Sequence, residues 1–366
     1  MNPLQQLHTF DQSFWYDNIR RKYLEDGTLA GYLANDGLRG LTSNPSIFEK
    51  AIAGSDDYDA QIARLAAQGK SVNEIYDALS IRDIQAACDL FQPLYAASQW
   101  QDGSVSLEVS PHLARNTTGT IADAKRLFAA VARPNLMIKV PATDEGIPAI
   151  QELIGAGINV NVTLMFNMRH YDAVAAAYIA GLKTYVAHGG DPAKVASVAS
   201  FFVSRVDAAV DKAIATVNGP DTLMGKTAVA NSKVVYKRYK EIFHGDAFAD
   251  LKAEGAQVQR LLWASTSTKN PAYPDTLYID ALIGPETVST IPPNTVVAFR
   301  DHGTVKQTLE TAVAEAESVL AELASIGVDL AAITEQLQID GVASFSKSFD
   351  TLLAALAQKQ AVLSAS

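Results

Sequence analysis

One alternation recurs along the chain and limits its fold more than any other feature: short strand-like runs separated by longer segments of helical character. The strand candidates are "SFWYDNI", "LRGLTSN", "VSLEVS", "NLMIKVP", "INVNVTLMF", "ASVASFFVS", "QRLLWAST" and "TLYIDALIG", eight in all. Helices open at "SNPSIFEKAI", with Asn44 as cap and Pro45 at the first helical position, and at "SVNEIYDAL", where Ser71 and Glu74 form a capping-box pair. A third opens at "TDEGIPAIQELIGAG". Strands alternating with helices predict a parallel sheet, because a parallel neighbour is reached only through a crossover long enough to hold a helix. Eight such units within 366 residues predict a (β/α)8 TIM barrel with additional helices. The runner-up is a doubly wound open sheet. That fold usually carries a glycine-rich turn after its first strand, and neither G-x-G-x-x-G nor a Walker-type loop occurs here. No linker demands two domains, so residues 1–366 read as a single barrel domain. Extra helices are expected near 55–100 and 306–366, the latter broken near Ile339–Gly341.

Side chains alternate across a strand, so each run has two faces. In "NLMIKVP", Leu136, Ile138 and Val140 oppose Asn135, Met137 and Lys139. In "VSLEVS", Glu108 lies opposite the valines and leucine; in "INVNVTLMF", Asn161 and Thr163 lie opposite Val160 and Val162. Thr42 shares parity with Asn44, and Trp15 with Asp17. Parallel strands are normally apolar on both faces. A polar face pointing into a barrel brings Asp17, Asn44, Glu108, Lys139, Asn161 and Thr163 together near the C-terminal strand ends, where barrel enzymes build their sites. A polar core network is the structural alternative. Lys139 taken alone fits a salt-bridged or snorkelling lysine as well as a catalytic one. In a closed pocket a lysine can attack a carbonyl and form a Schiff base, given proton carriers such as Glu108 and Asp17.

Composition narrows the classes. A formal charge of −10 argues against a general nucleic-acid binder, which needs a basic stripe, yet leaves room for an anionic substrate held by a few local cations. No run of about 18 apolar residues predicts a membrane span. The start "MNPLQQLHTFDQ" lacks the pattern of a signal peptide, and a single cysteine, Cys88, makes no intrachain disulfide. A reducing cytoplasm is therefore the expected location. Cys88, in "IQAACDLF", reads as a small core residue. The six histidines are scattered without ligand-like spacing, so no metal is expected.

The segments "GLTSNPSIFEKAI", "VSLEVSP", "NLMIKVPAT", "GINVNVTLMF" and "SFFVSR", in this order, resemble the transaldolase family, and "WASTSTKNPAYPD" with the added helices resembles its longer subgroup. The resemblance implies a cofactor-free class I aldol mechanism. In it a dihydroxyacetone unit passes from sedoheptulose 7-phosphate or fructose 6-phosphate to glyceraldehyde 3-phosphate or erythrose 4-phosphate, within the non-oxidative pentose phosphate pathway. Lys139 matches the Schiff-base lysine, Glu108 the carboxylate acting through a bound water, Asp17 the base for the C4 hydroxyl, and Thr163 a holder of that water. Asn44, Asn161 and Ser200 match ligands of the dihydroxyacetone part, with Thr42 and Phe202 beside them. Arg205 matches the principal phosphate ligand, and Ser265 lines the same end. Many members carry a second arginine just after the position of Ser265; here Lys269 stands nearby, in a loop of different length. The expected partners are sugar phosphates, with no nucleic acid and no membrane, and the family includes monomers and homodimers. The alternative is a fructose-6-phosphate aldolase-like lyase releasing free dihydroxyacetone. Those relatives are shorter and carry Gln and Tyr where this chain has Glu108 and Phe202. Some long-form relatives are fused to a sugar-phosphate isomerase, and the ending "AVLSAS" fits either a natural terminus or the edge of such a fusion.

Overall fold

A computed structural model describes residues 1–364; the last two residues of "AVLSAS" lie outside the described residues. Eight parallel strands close into a barrel in chain order. They are β1 (Gln12–Tyr16), β2 (Leu38–Thr42), β3 (Ser104–Glu108), β4 (Leu136–Pro141), β5 (Val160–Met165), β6 (Ser197–Phe202), β7 (Arg260–Ala264) and β8 (Thr287–Ile291). Helices on the outside bury the apolar strand faces. No helix among the described residues is long and apolar enough to cross a membrane.

Side chains fill the barrel interior. Trp15 sits opposite Gly40 on the neighbouring strand, and a Cβ at Gly40 would meet the indole at 2.5 Å. The glycine is what admits the tryptophan. At the N-terminal end, Asp102 accepts hydrogen bonds from Ser13 at 2.6 Å and from Arg39 and Arg260 at 3.1 Å each. This buried network closes the bottom of the barrel, so the polar residues of the other end share a separate space.

Two expectations fail. "TLYIDALIG" is not the eighth strand: Leu277–Asp280 is a helical turn, and β8 is the following "TVSTI". Its buried apolar side chains are Tyr278, Ile279, Leu282 and Ile283, a spacing that suits a helical face and not an alternating one. The β-branched run Thr287, Val288, Thr290 and Ile291 makes the strand that pairs with β1 and closes the barrel. The helical tail is also unbroken, running from Leu330 to Ser364. Gly341 does not end it. A Cβ there would meet Leu164 Cδ2 at 2.8 Å, so the glycine lets the helix lie close against the catalytic end of the barrel. Gln338 on the same helix donates to the carbonyls of Ala142 and Leu164, which fixes the docking. The C-terminal helix therefore packs over the C-terminal ends of β4 and β5.

Candidate active site

A cavity of about 500 Å³ opens at the C-terminal ends of the strands. Asp17, Thr42, Asn44, Lys139, Thr163, Ser200, Phe202, Arg205, Ser265 and Lys269 all line it. Glu108 and Asn161 do not. Asn161 is fully buried beneath the floor, donating to Ser106 Oγ at 3.0 Å and accepting from Ser200 Oγ at 2.7 Å. It touches Ser200, which lines the cleft, and does not itself line it.

Strand register builds the centre. Lys139 pairs with Glu108 on one side and Asn161 on the other. Its Nζ lies 3.4 Å from Glu108 Oε2 and donates to the Ser43 carbonyl at 3.2 Å. Lys139 and Glu108 are only 5% and 8% exposed, so their charges interact through protein rather than water. Burial raises the Glu108 pKa above the usual carboxylate value; Lys139 offsets part of this and Asp17 adds to it. Among the described residues, Glu108 Oε2 and Thr163 Oγ1 are buried without a hydrogen-bond partner, a condition that water or a ligand relieves.

Asp17, one residue beyond β1, accepts from Thr42 Oγ1 at 2.7 Å, which fixes its carboxylate over the cleft. Asn44 caps the short helix Pro45–Phe48 by accepting from Ile47 N at 2.9 Å. That cap occupies its Oδ1, which leaves its amide nitrogen available as a donor. Arg205, in the first turn of the helix Ser204–Thr216, lies 5.2 Å above the Phe202 ring and 5.9 Å from the Phe345 ring. No carboxylate pairs with it among the described residues, and burial pulls its pKa down while Asp17 acts in the other direction. Packing, then the like charges of Arg205 and Lys50, pull Lys269 below its ordinary value. Two residues at strand ends, Leu164 and Ser265, take left-handed backbone angles (φ 60° and 57°), strain of the sort that functional sites hold.

An amine beside a carboxyl, a second carboxylate across the cleft and unpaired cations at its mouth suit covalent chemistry on an anionic carbonyl compound. The family model for transaldolase/fructose-6-phosphate aldolase matches residues 14–356. The chain belongs to this transaldolase/fructose-6-phosphate aldolase family. A protein named transaldolase from Thiobacillus denitrificans is 49% identical over 97% of this chain and 99% of its own length. Proteins of the same name from Trichodesmium erythraeum and Neisseria gonorrhoeae are each 45% identical, over 98% and 97% of this chain and 97% and 100% of their own. The family match takes in the barrel and most of the C-terminal helix, so every cleft residue named above lies within it.

Three residues at this transaldolase-family site carried no local signal of a role. Phe345 comes from the C-terminal helix, and its ring lies 5.9 Å from Lys139 Nζ. Tyr76, on the helix Val72–Ala97, lies on the far side of Glu108. Lys50 lines the cleft from a π-helical turn, Glu49–Ala53. Ordinary helical spacing from Asn44 does not forecast that position, whereas π-turns often mark functional sites.

Proposed function

We propose that this protein is a transaldolase working through a Schiff base on Lys139. The observation that carries the reading is the buried Lys139–Glu108 pair at the foot of a cation-mouthed cleft, in a chain matching the family over nearly its full length. Lys139 Nζ passes a proton to the Glu108 carboxylate and attacks the C2 carbonyl of a ketose phosphate. The carbinolamine hydroxyl leaves as water, protonated from Glu108 through a water held with Thr163. The protonated imine withdraws electrons from the C3–C4 bond. Asp17 takes the C4 hydroxyl proton, that bond breaks, and the aldose phosphate leaves. The enamine remaining on Lys139 then attacks the acceptor aldehyde, Asp17 returns its proton, and water hydrolyses the new imine.

The hydrogen bonds already described support the binding roles proposed here. Ser200 donates to Asn161, so its oxygen accepts from a substrate hydroxyl. Asn44, with Oδ1 capping a helix, offers its amide protons. Arg205 presents a planar fork to phosphate at a helix N-terminus, with Ser265 beside it and Lys269 and Lys50 as further positive charges. Sugar phosphates of three to seven carbons from the non-oxidative pentose phosphate pathway, in the cytoplasm, are the proposed substrates. The lyase alternative is disfavoured because position 108 is a carboxylate and position 202 has no hydroxyl. Product analysis separates the two. A transaldolase releases little free dihydroxyacetone from fructose 6-phosphate without an acceptor, and forms the seven-carbon ketose when erythrose 4-phosphate is added. Steady release of free dihydroxyacetone without acceptor would contradict the proposal.

A further inference from the structure

A second cavity, of about 380 Å³, lies behind the catalytic pair, and Glu108 lines this cavity and not the substrate cleft. We propose that it is a water port, through which the water released and consumed at the imine enters and leaves while sugar phosphate fills the cleft. The inference rests on the Schiff-base reading above.

Three observations support it. Glu108 serves the chemistry of the cleft from the wall of the second cavity: its carboxylate stands 3.4 Å from Lys139 Nζ, which lines the cleft, yet forms part of the second cavity's lining. The partition is thin. Ser43, whose carbonyl accepts from Lys139, lines the second cavity, and Asn44 lines both. Its composition suits water passing a buried acid. One wall is aromatic, with Tyr76 packed edge-on against Phe48 and Phe349. The rim is polar, with Arg126 paired to both Asp77 and Asp123. At roughly 30 Å³ per molecule the space holds several waters.

The chemistry requires such a route. The carbinolamine hydroxyl takes a proton from Glu108 and leaves as one water, breaking its C–O bond as the C=N bond forms. In hydrolysis one water gives a proton to Glu108 and its oxygen bonds to the imine carbon. In both steps the cleft mouth is occupied by the phosphorylated sugar bound to Lys139.

Oxygen exchange tests this directly, because each cycle of imine formation and hydrolysis replaces the C2 carbonyl oxygen of the donor. The intact chain is incubated with fructose 6-phosphate in 18O-water, and label in the sugar is followed by mass spectrometry above the non-enzymatic rate. Asn73→Trp, on the exposed first turn of one wall, and Leu353→Trp, on the C-terminal helix opposite, each fill the cavity without touching the cleft. Both should slow exchange by about tenfold, less than the hundredfold or more expected from losing the Glu108 carboxyl itself. The donor KM and the unfolding temperature should stay near wild type, and Leu353→Ala should exchange at least as fast as wild type. Exchange at the wild-type rate in either folded tryptophan variant overturns the port. Absence of enzymatic exchange in the wild type instead overturns the Schiff-base reading, and the port with it.

Discussion

Backbone register, rather than a loop, sets Glu108 opposite Lys139, so the acid and the amine keep their spacing through a catalytic cycle. Because burial holds the Glu108 pKa above the ordinary carboxylate range, the acid limb of the kcat/KM profile should lie above that range too. Glu108→Gln should remove that limb and lower kcat by about 10²- to 10⁴-fold; a limb at an unshifted carboxylate value would contradict the assignment. Arg205→Ala should raise the KM for phosphorylated donors far more than it reduces turnover of unphosphorylated ones, and equal effects would remove Arg205 from the phosphate site. Lys50→Met should act in the same sense but more weakly, and its effect should shrink as salt rises, since Lys50 is exposed at the mouth. Strand parity made Lys139, Glu108 and Thr163 legible in the sequence, because inward and outward side chains alternate along a regular strand. Lys50 was hidden, since the π-turn that aims it departs from the helical period on which sequence reading relies.

At the scale of elements, the C-terminal helix is the part least visible in the sequence. Gly341 reads locally as a helix breaker, yet the close approach it permits depends on Leu164, far away in the chain. Docking of that helix brings Phe345 over both Lys139 and Arg205. Gly341→Val should push the helix off the barrel mouth and raise the KM for phosphorylated donors, even though leaving glycine adds intrinsic helix propensity of a few tenths to about 1 kcal/mol. Wild-type kinetics in a folded Gly341→Val protein would show that the close packing is not needed. The misassigned eighth strand has a related cause. "TLYIDALIG" is the more apolar run, whereas "TVSTI" is short and carries three hydroxyl residues, and closure onto β1 is what tells which is the strand.

Across the whole molecule, Asp207 links three segments outside the barrel core. Its carboxylate accepts from Ala228 N at 2.7 Å and Tyr278 Oη at 2.9 Å, joining two helices of the β6–β7 connection, Ser204–Thr216 and Thr227–Phe243, to the turn before β8. Burial pushes its pKa up from 3.8 to about 6. The native state then binds a proton more tightly than the unfolded chain, so this group favours folding below its unfolded pKa. That contribution, up to ~3 kcal/mol, is lost as pH rises through about 6. Urea unfolding of wild type and Asp207→Asn at pH 4.5 and 7.5 measures it. The stability difference should move in the variant's favour at the higher pH, and a pH-independent difference would contradict the assignment. The barrel itself was legible because seven of the eight strand runs stand where the alternation puts them, from "SFWYDNI" to "QRLLWAST". What was not legible is long-range: which helices fold back over the barrel mouth, and that Glu108 faces a cavity of its own.

The central claim is that Lys139 forms the imine. Borohydride reduction in the presence of fructose 6-phosphate, followed by peptide mass mapping, tests it most directly. The expected result is one stable adduct, on the peptide containing Lys139, with loss of activity in proportion to labelling. No adduct, or an adduct on another lysine, would contradict it.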